Sequence, residues 1–177
     1  MSQQDQQQDQ QQDHQLTNNT EAAAGQDRLT QRIQKTDDEI AINAWASLKG
    51  ISIVIGKMLC NKYTIASIIM KQVPVDELKQ FKTASGKIAN KYAINSILCL
   101  RNGTTADACK NASKMIAAIP GITVVTAAVI LKNKSLEQLC TMTISELENI
   151  TIPRGTGESK LGKKASLLFN LFNYKTI

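Results

Sequence analysis

Met115-Ile116-Ala117-Ala118-Ile119-Pro120-Gly121-Ile122-Thr123 sets a Pro-Gly pair between two apolar stretches, with Ala127 six residues after Gly121. Pro stops one helix, Gly supplies a backbone angle that other residues avoid, and a second helix starts beyond them. The first N–H groups of that second helix lack partners within it, and the positive end of its dipole suits a phosphate oxygen. The predicted chemistry is therefore binding rather than bond breaking. Gly121, Ile122 and Thr123 would hold a DNA backbone in a helix-hairpin-helix without reading its bases. A looser second copy is expected where Ile150 and Ile152 precede a turn over 153–160 and Leu161-Gly162-Lys163-Lys164 opens the last helix. Gly162, Lys163 and Lys164, flanked by Arg154 and Lys160, are expected to make the main phosphate contacts. The same Pro-Gly corner also serves as plain punctuation between packed helices, and both readings stand at this point.

Other chemistries find little support. Cys60, Cys99, Cys109 and Cys140 are scattered without a C-x-x-C pair, and the single His14 lies alone near the start. No metal site and no cofactor are expected. Each cysteine sits in an apolar run, where it packs as a small hydrophobe, which points to a reducing intracellular compartment. The start lacks the basic and apolar regions of an export signal, and no run reaches the roughly 18 apolar residues of a membrane span. Neither a membrane nor a small-molecule substrate is expected as a partner.

Charge is divided along the chain. Residues 1–44 hold eight acids and three bases, a net of −5, whereas residues 45–177 hold seven acids and 18 bases, a net of +11. The overall +6 thus hides a basic body behind an acidic, Gln-rich tail, and a polyanion is the natural partner for that body. Residues 1–28 carry almost nothing apolar and are expected to be disordered, with the tail assigned to residues 1–40.

The elements that must position these residues follow from pattern. Gly50-Ile51-Ser52-Ile53-Val54-Ile55 is β-branched and bounded by glycines, so it reads as a buried strand. Residues 57–72 suit either a helix, by Ile65, Ile68 and Ile69, or a strand, by Tyr63 and Thr64, with helix favoured and Pro74 ending it, and 76–92 reads as an amphipathic helix with Leu78, Phe81, Ala84, Ser85, Ile88 and Ala89 on one face. A second strand is expected over 94–100, and a helix over 106–118 capped by Thr104 or Thr105. This order implies a parallel α/β unit over 44–108, followed by an all-α hairpin domain over 109–177. Ser135 restarts a helix after 126–133, and Thr143 with Glu146 forms a capping box for the next. Leu136, Leu139, Ile144, Leu147 and Ile150 are expected in the core.

Three stretches, Leu48-Lys49-Gly50-Ile51-Ser52-Ile53-Val54-Ile55, Ala118-Ile119-Pro120-Gly121-Ile122 and residues 135–150, carry a resemblance to the XPF family of structure-specific endonucleases. The likeness is nearest to the family's non-catalytic subunits, in particular its Fanconi anaemia branch, whereas Leu161-Gly162-Lys163-Lys164-Ala165-Ser166 looks more like the endings of crossover-junction nuclease subunits. The resemblance implies a reduced nuclease-like α/β body, branched or single-stranded-containing DNA as ligand, a larger XPF-family translocase or nuclease as heterodimer partner, and a nuclear role in DNA repair. The partner would cover Leu167, Leu168, Phe169, Leu171 and Phe172 of the last helix, residues that equally suit an internal core.

The chain departs from the family in two ways. The active nucleases carry a Glu-Arg-Lys signature followed by Asp, which this sequence lacks, and residues 40–75 contain no Asp or Glu. Metal-assisted hydrolysis needs clustered oxygen ligands, so no enzyme is expected. Thr123 stands where the first hairpin usually has its second Gly, which makes close backbone approach to phosphate harder. A helix-hairpin-helix glycosylase or lyase would need an acid after its hairpin, and no Asp follows Gly121. A scaffold that uses the hairpins only for pairing is the remaining alternative.

Overall fold

A computed structural model describes residues 37–103, 105–155 and 157–176. The segment predicted as disordered, and Thr104 as a candidate cap, lie outside the described residues. Ordered helix begins within the stretch assigned to the tail, because residues 37–46 form α1, with Ile40, Ala41, Ile42, Ala44 and Trp45 buried.

The expected strand over 50–55 is not formed. Ile53–Lys62 is helix α2, and the Ile55 N–H donates to the Ser52 hydroxyl at 3.3 Å as the helix starts. Its inward positions are Gly56, Leu59 and Cys60, at helical spacing, while Ile53 and Val54 are about 60% exposed. The β-branched run that suggested a buried strand is thus the solvent-facing first turn of a helix, and a Ser cap outweighs weak β preference there. Ile65–Ile69 is α3, capped by Thr64. The predicted helix over 57–72 is therefore two helices.

The long helix expected over 76–92 shortens to α4, Val75–Lys79, with Pro74 at its N-cap. Thr83, Ser85 and Gly86 then turn the chain: the Thr83 N–H donates to the Lys87 carbonyl at 2.7 Å, and Lys82 pairs with Ile88 in an isolated antiparallel bridge. Leu78, Phe81 and Ala89 still face inward, while Ile88 lies outside at 56% exposure. The second expected strand is also a helix. Lys91–Asn102 forms α5, begun by the Asn90 side chain, which accepts from the Ala93 N–H, and ended at Gly103. Ala93, Ile94, Ile97 and Leu100 bury one face at a 3.6-residue period, a pattern that a continuous apolar run conceals.

The helix expected over 106–118 is α6, Ala106–Ile116, capped by Thr105. Beyond the Pro-Gly corner come α7 (Val124–Asn133), α8 (Leu136–Thr141) and α9 (Ile144–Glu148). Capping boxes begin both short helices, Ser135 with Gln138 and Thr143 with Glu146. The 153–160 turn is a small antiparallel sheet: β1, Thr151–Arg154, pairs with β2, Gly157–Lys160, in the register Thr151 to Lys160 and Ile152 to Ser159. The last helix, α10, is Lys164–Asn173.

The described residues are thus mostly helical with one two-stranded sheet. The parallel crossover expected for 44–108 is replaced by helices, since its two strands are α2 and α5. One apolar core runs from Ile40 and Trp45 through Leu59, Ile68, Ile97, Ile116 and Leu139 to Leu168 and Phe172. Burial pushes the Cys60 and Cys140 thiols up to about 12, in keeping with packing rather than reactive roles.

Candidate nucleic-acid interface

The first corner is closed by local bonds. The Ile119 N–H donates to the Ile116 carbonyl and the Ile122 N–H to the Ile119 carbonyl, each at 3.1 Å. Ile119 and Ile122 are buried on either side of the exposed Pro120 and Gly121. Gly121 has φ +75°, so an L side chain is strained there. Thr123 caps α7: its hydroxyl accepts from the Thr126 N–H at 3.1 Å and lies 3.0 Å from the Thr126 hydroxyl. The sequence marks Thr123 as a steric departure. In the structure it also occupies one of the backbone donors a phosphate would use.

The second corner is built differently. The β1–β2 hairpin stands between α9 and α10, and the chain returns through Leu161, whose N–H donates to the Ile150 carbonyl at 2.8 Å. Gly162 follows at φ +53°, its N–H donating to the Glu148 carbonyl at 3.2 Å. Lys163 then sits at the N-cap of α10, and no side chain caps that helix. Lys163 is exposed. Lys160 is exposed as well, and its ammonium donates to the Asn149 side-chain oxygen at 2.7 Å, which holds the cation beside the corner without neutralising it.

Lys164 ties the two corners together. Its ammonium donates to the Gly121 carbonyl across 43 residues of sequence. A methyl group at Gly121 would lie 3.0 Å from that nitrogen. The two corners therefore face one cleft of about 480 Å³, lined by Gly121, Thr126, Pro153, Ser159, Lys160 and Lys164 among others. The ion pairs among the described residues, Lys62–Glu77, Lys71–Glu137 and Lys79–Asp76, use none of these lysines. Among the described residues the cleft lining combines cations, hydroxyls and backbone with no carboxylate, a donor-rich surface suited to an anionic oxygen.

Of the residues predicted to bind DNA, the structure brings Gly121, Lys160 and Lys164 to the cleft and sets Gly162 and Lys163 at the mouth of α10. Ile122 serves the core, 4% exposed. Arg154 has its backbone in β1, and its side chain lies outside the described residues. On α10, Leu168, Leu171 and Phe172 are at most 2% exposed and close this chain's own core, while Leu167 and Phe169 rest half-buried against it. The apolar face predicted for a partner is thus turned mainly inward, the use that a small domain makes of its last helix when other elements are near. Asn149 and the Lys164 bond to Gly121 escaped sequence reasoning, because nothing local marks a contact made across many residues.

Among the described residues, no group of three or more His, Cys, Asp or Glu is placed to hold a metal ion, and no helix is long and apolar enough to cross a membrane. No protein-family profile matches the chain, and no solved structure matches it. Curated relatives do. The chain is 32% identical over 137 residues to the ERCC4 domain-containing protein EP364R of African swine fever virus, isolate Pig/Kenya/KEN-50/1950. It is 31% identical over the same length to that protein from isolate Warthog/Namibia/Wart80/1980. Each match takes in 77% of this chain and 36% of the relative, so the chain spans about a third of the length of the curated relatives it matches. This homology to ERCC4 domain-containing proteins supports the relationship to the wider XPF family that the hairpin motifs imply.

Proposed function

We propose that the chain is a DNA-binding, non-catalytic member of the XPF family that positions a larger family nuclease or translocase on branched or single-stranded-containing DNA in DNA repair. The observation that carries this reading is the second corner. There Lys160 and Lys164 line a cleft, and next to it in sequence the αL Gly162 and the exposed Lys163 open α10, which no side chain caps. Phosphate contacts of this kind fix position on a duplex without reading sequence, as suits a protein that selects DNA by shape. A non-catalytic role is supported by the lack of any Asp or Glu in residues 40–75 and by a cleft lining that, among the described residues, holds no carboxylate. The relatives' ERCC4-domain name supports a role in DNA processing. Of the apolar positions on α10, Leu167 and Phe169 are the ones still open for a partner to cover.

The test is a salt titration of binding to a fluorescent Y-shaped DNA, comparing the unmodified chain with K160A/K163A. If both lysines contact phosphate, affinity drops at every salt concentration and the slope of log K against log salt falls by about 2. An unchanged slope and affinity would sink the DNA reading and leave the hairpins as a scaffold. Retention of a larger XPF-family subunit by the tagged chain supports pairing; a chain that purifies as a monomer from its own cell overturns it.

A further inference from the structure

A second cleft, of about 410 Å³, lies between α5, α6 and the turn at residues 49–50. Two helix faces at matching spacing form its walls: Tyr92, Asn95, Ser96 and Cys99 on α5, and Asp107, Lys110, Asn111 and Lys114 on α6. The third wall is anchored to the first. The buried Ser96 hydroxyl donates to the Lys49 carbonyl at 2.8 Å, and the Asn90 amide donates to the Gly50 carbonyl at 2.9 Å. These bonds place the Lys49 ammonium over the Tyr92 ring, 4.7 Å from its centre. Tyr92 is nonetheless 59% exposed, an unusual position for so large a ring with a core close by.

Lys49 lies over the exposed ring and Lys110 and Lys114 line the same cleft, with Asp107 the one acid in the lining among the described residues. Amide groups from Asn95 and Asn111 add donors and acceptors that suit base edges. Along α6 the wall from Asp107 to Lys114 runs about 10 Å by helix rise, long enough for more than one nucleotide. Cations that follow a backbone, beside an aromatic face that any base can stack on, are the elements of sequence-tolerant single-strand binding. A duplex would not use Tyr92 in this way, since its bases are already stacked on one another.

We propose that this cleft holds a single strand of nucleic acid, with one base against Tyr92 and its flanking phosphates on Lys49, Lys110 and Lys114. The strand-binding cleft rests on the reading of the chain as a DNA-binding protein, but it uses none of the hairpin residues. Since α6 leads directly into the Gly121 corner, a strand leaving a duplex at the hairpins has a path along this helix.

The test uses the full chain and two fluorescent probes, an oligothymidine of about 12 nucleotides and a blunt duplex, read by anisotropy. Tyr92→Ala should weaken oligothymidine binding about fivefold or more and leave duplex binding within about twofold, and Tyr92→Phe should restore it. K110E/K114E should weaken oligothymidine binding further and lower its salt sensitivity below that of the unmodified chain. Oligothymidine affinity unchanged in Tyr92→Ala overturns the proposal, even if the lysine variant binds less, because the cleft would then be a basic surface open to any acidic partner. The hairpin reading is separable: K160A/K163A that leaves duplex binding intact while oligothymidine binding still depends on Tyr92 removes that reading and keeps this one.

Discussion

The two corners of the hairpin region solve one geometric problem with different chemistry. The first is compact and self-satisfied: Gly121 turns the chain, Ile119 and Ile122 plug it into the core, and the Thr123 hydroxyl takes the Thr126 donor. The second is interrupted by the β1–β2 hairpin, starts its helix with an exposed lysine, and has no side-chain cap. Both corners tie backbone donors internally, the second through the Lys164 N–H to the Leu161 carbonyl and the Ala165 N–H to the Gly162 carbonyl, so they differ mainly in charge: the second adds the exposed Lys160 and Lys163. The sequence already sets the second copy apart by its lysines; the structure adds the β1–β2 hairpin within it and the Thr123 cap in the first.

The largest test of that contrast concerns what holds the second corner in place. Phe172, 1% exposed at the far side of α10, joins the shared core. Phe172→Ala should cost about 3–5 kcal/mol of stability in the isolated chain, measured by urea unfolding. A loss that shows only in the presence of a partner would mean that α10 belongs to an interface after all.

A smaller effect compares the two glycines. Both have positive φ, so alanine at either should cost about 1–2 kcal/mol. A Cβ at Gly162 has its nearest neighbour at 3.9 Å, whereas one at Gly121 meets the Lys164 ammonium at 3.0 Å. Gly121→Ala should therefore be the more costly of the two in thermal denaturation. The order should even out in a Lys164→Met background, where the crowding and the bond to the Gly121 carbonyl are both gone; a difference that persists would assign the cost elsewhere.

The smallest effect is on pH. Glu146 accepts from the Thr143 N–H at 2.7 Å and from its hydroxyl at 2.9 Å, and these bonds hold its carboxyl below the usual carboxylate value. Tyr63 and then Lys62 act the same way on Glu77. For both groups the folded chain binds its proton less readily than the unfolded chain. Their contribution is thus present above the ordinary carboxylate pKa and is lost as pH falls through the lowered folded value. The midpoint of unfolding should drop on acidification in that window, and E77Q/E146Q should flatten the drop. An equal drop in the variant would trace acid sensitivity to other carboxylates.

Much of the C-terminal half was legible because its signals are local. Thr143 and Glu146, or Pro120 and Gly121, act over three or four residues, within reach of one turn of chain. The same reasoning misread 50–55 and 94–100 as strands. There the apolar runs suggest strands, while single polar residues, Ser52 and Asn90, cap helices. A strand needs a partner to take its N–H and C=O groups, whereas a capped helix satisfies them itself, so in the absence of neighbours the caps decide.

By itself the sequence determined the basic body, the Pro-Gly corner, the capped helix starts and the acid-free stretch over residues 40–75, all of which depend on composition or on neighbours within one turn. Tertiary structure alone decided that Lys164 reaches the Gly121 carbonyl, that α10 turns its apolar side inward, and that Lys49 lies over Tyr92. These contacts join residues about 40 apart or more, and their partners are chosen by how helices pack around a shared core, which no local pattern of side chains specifies.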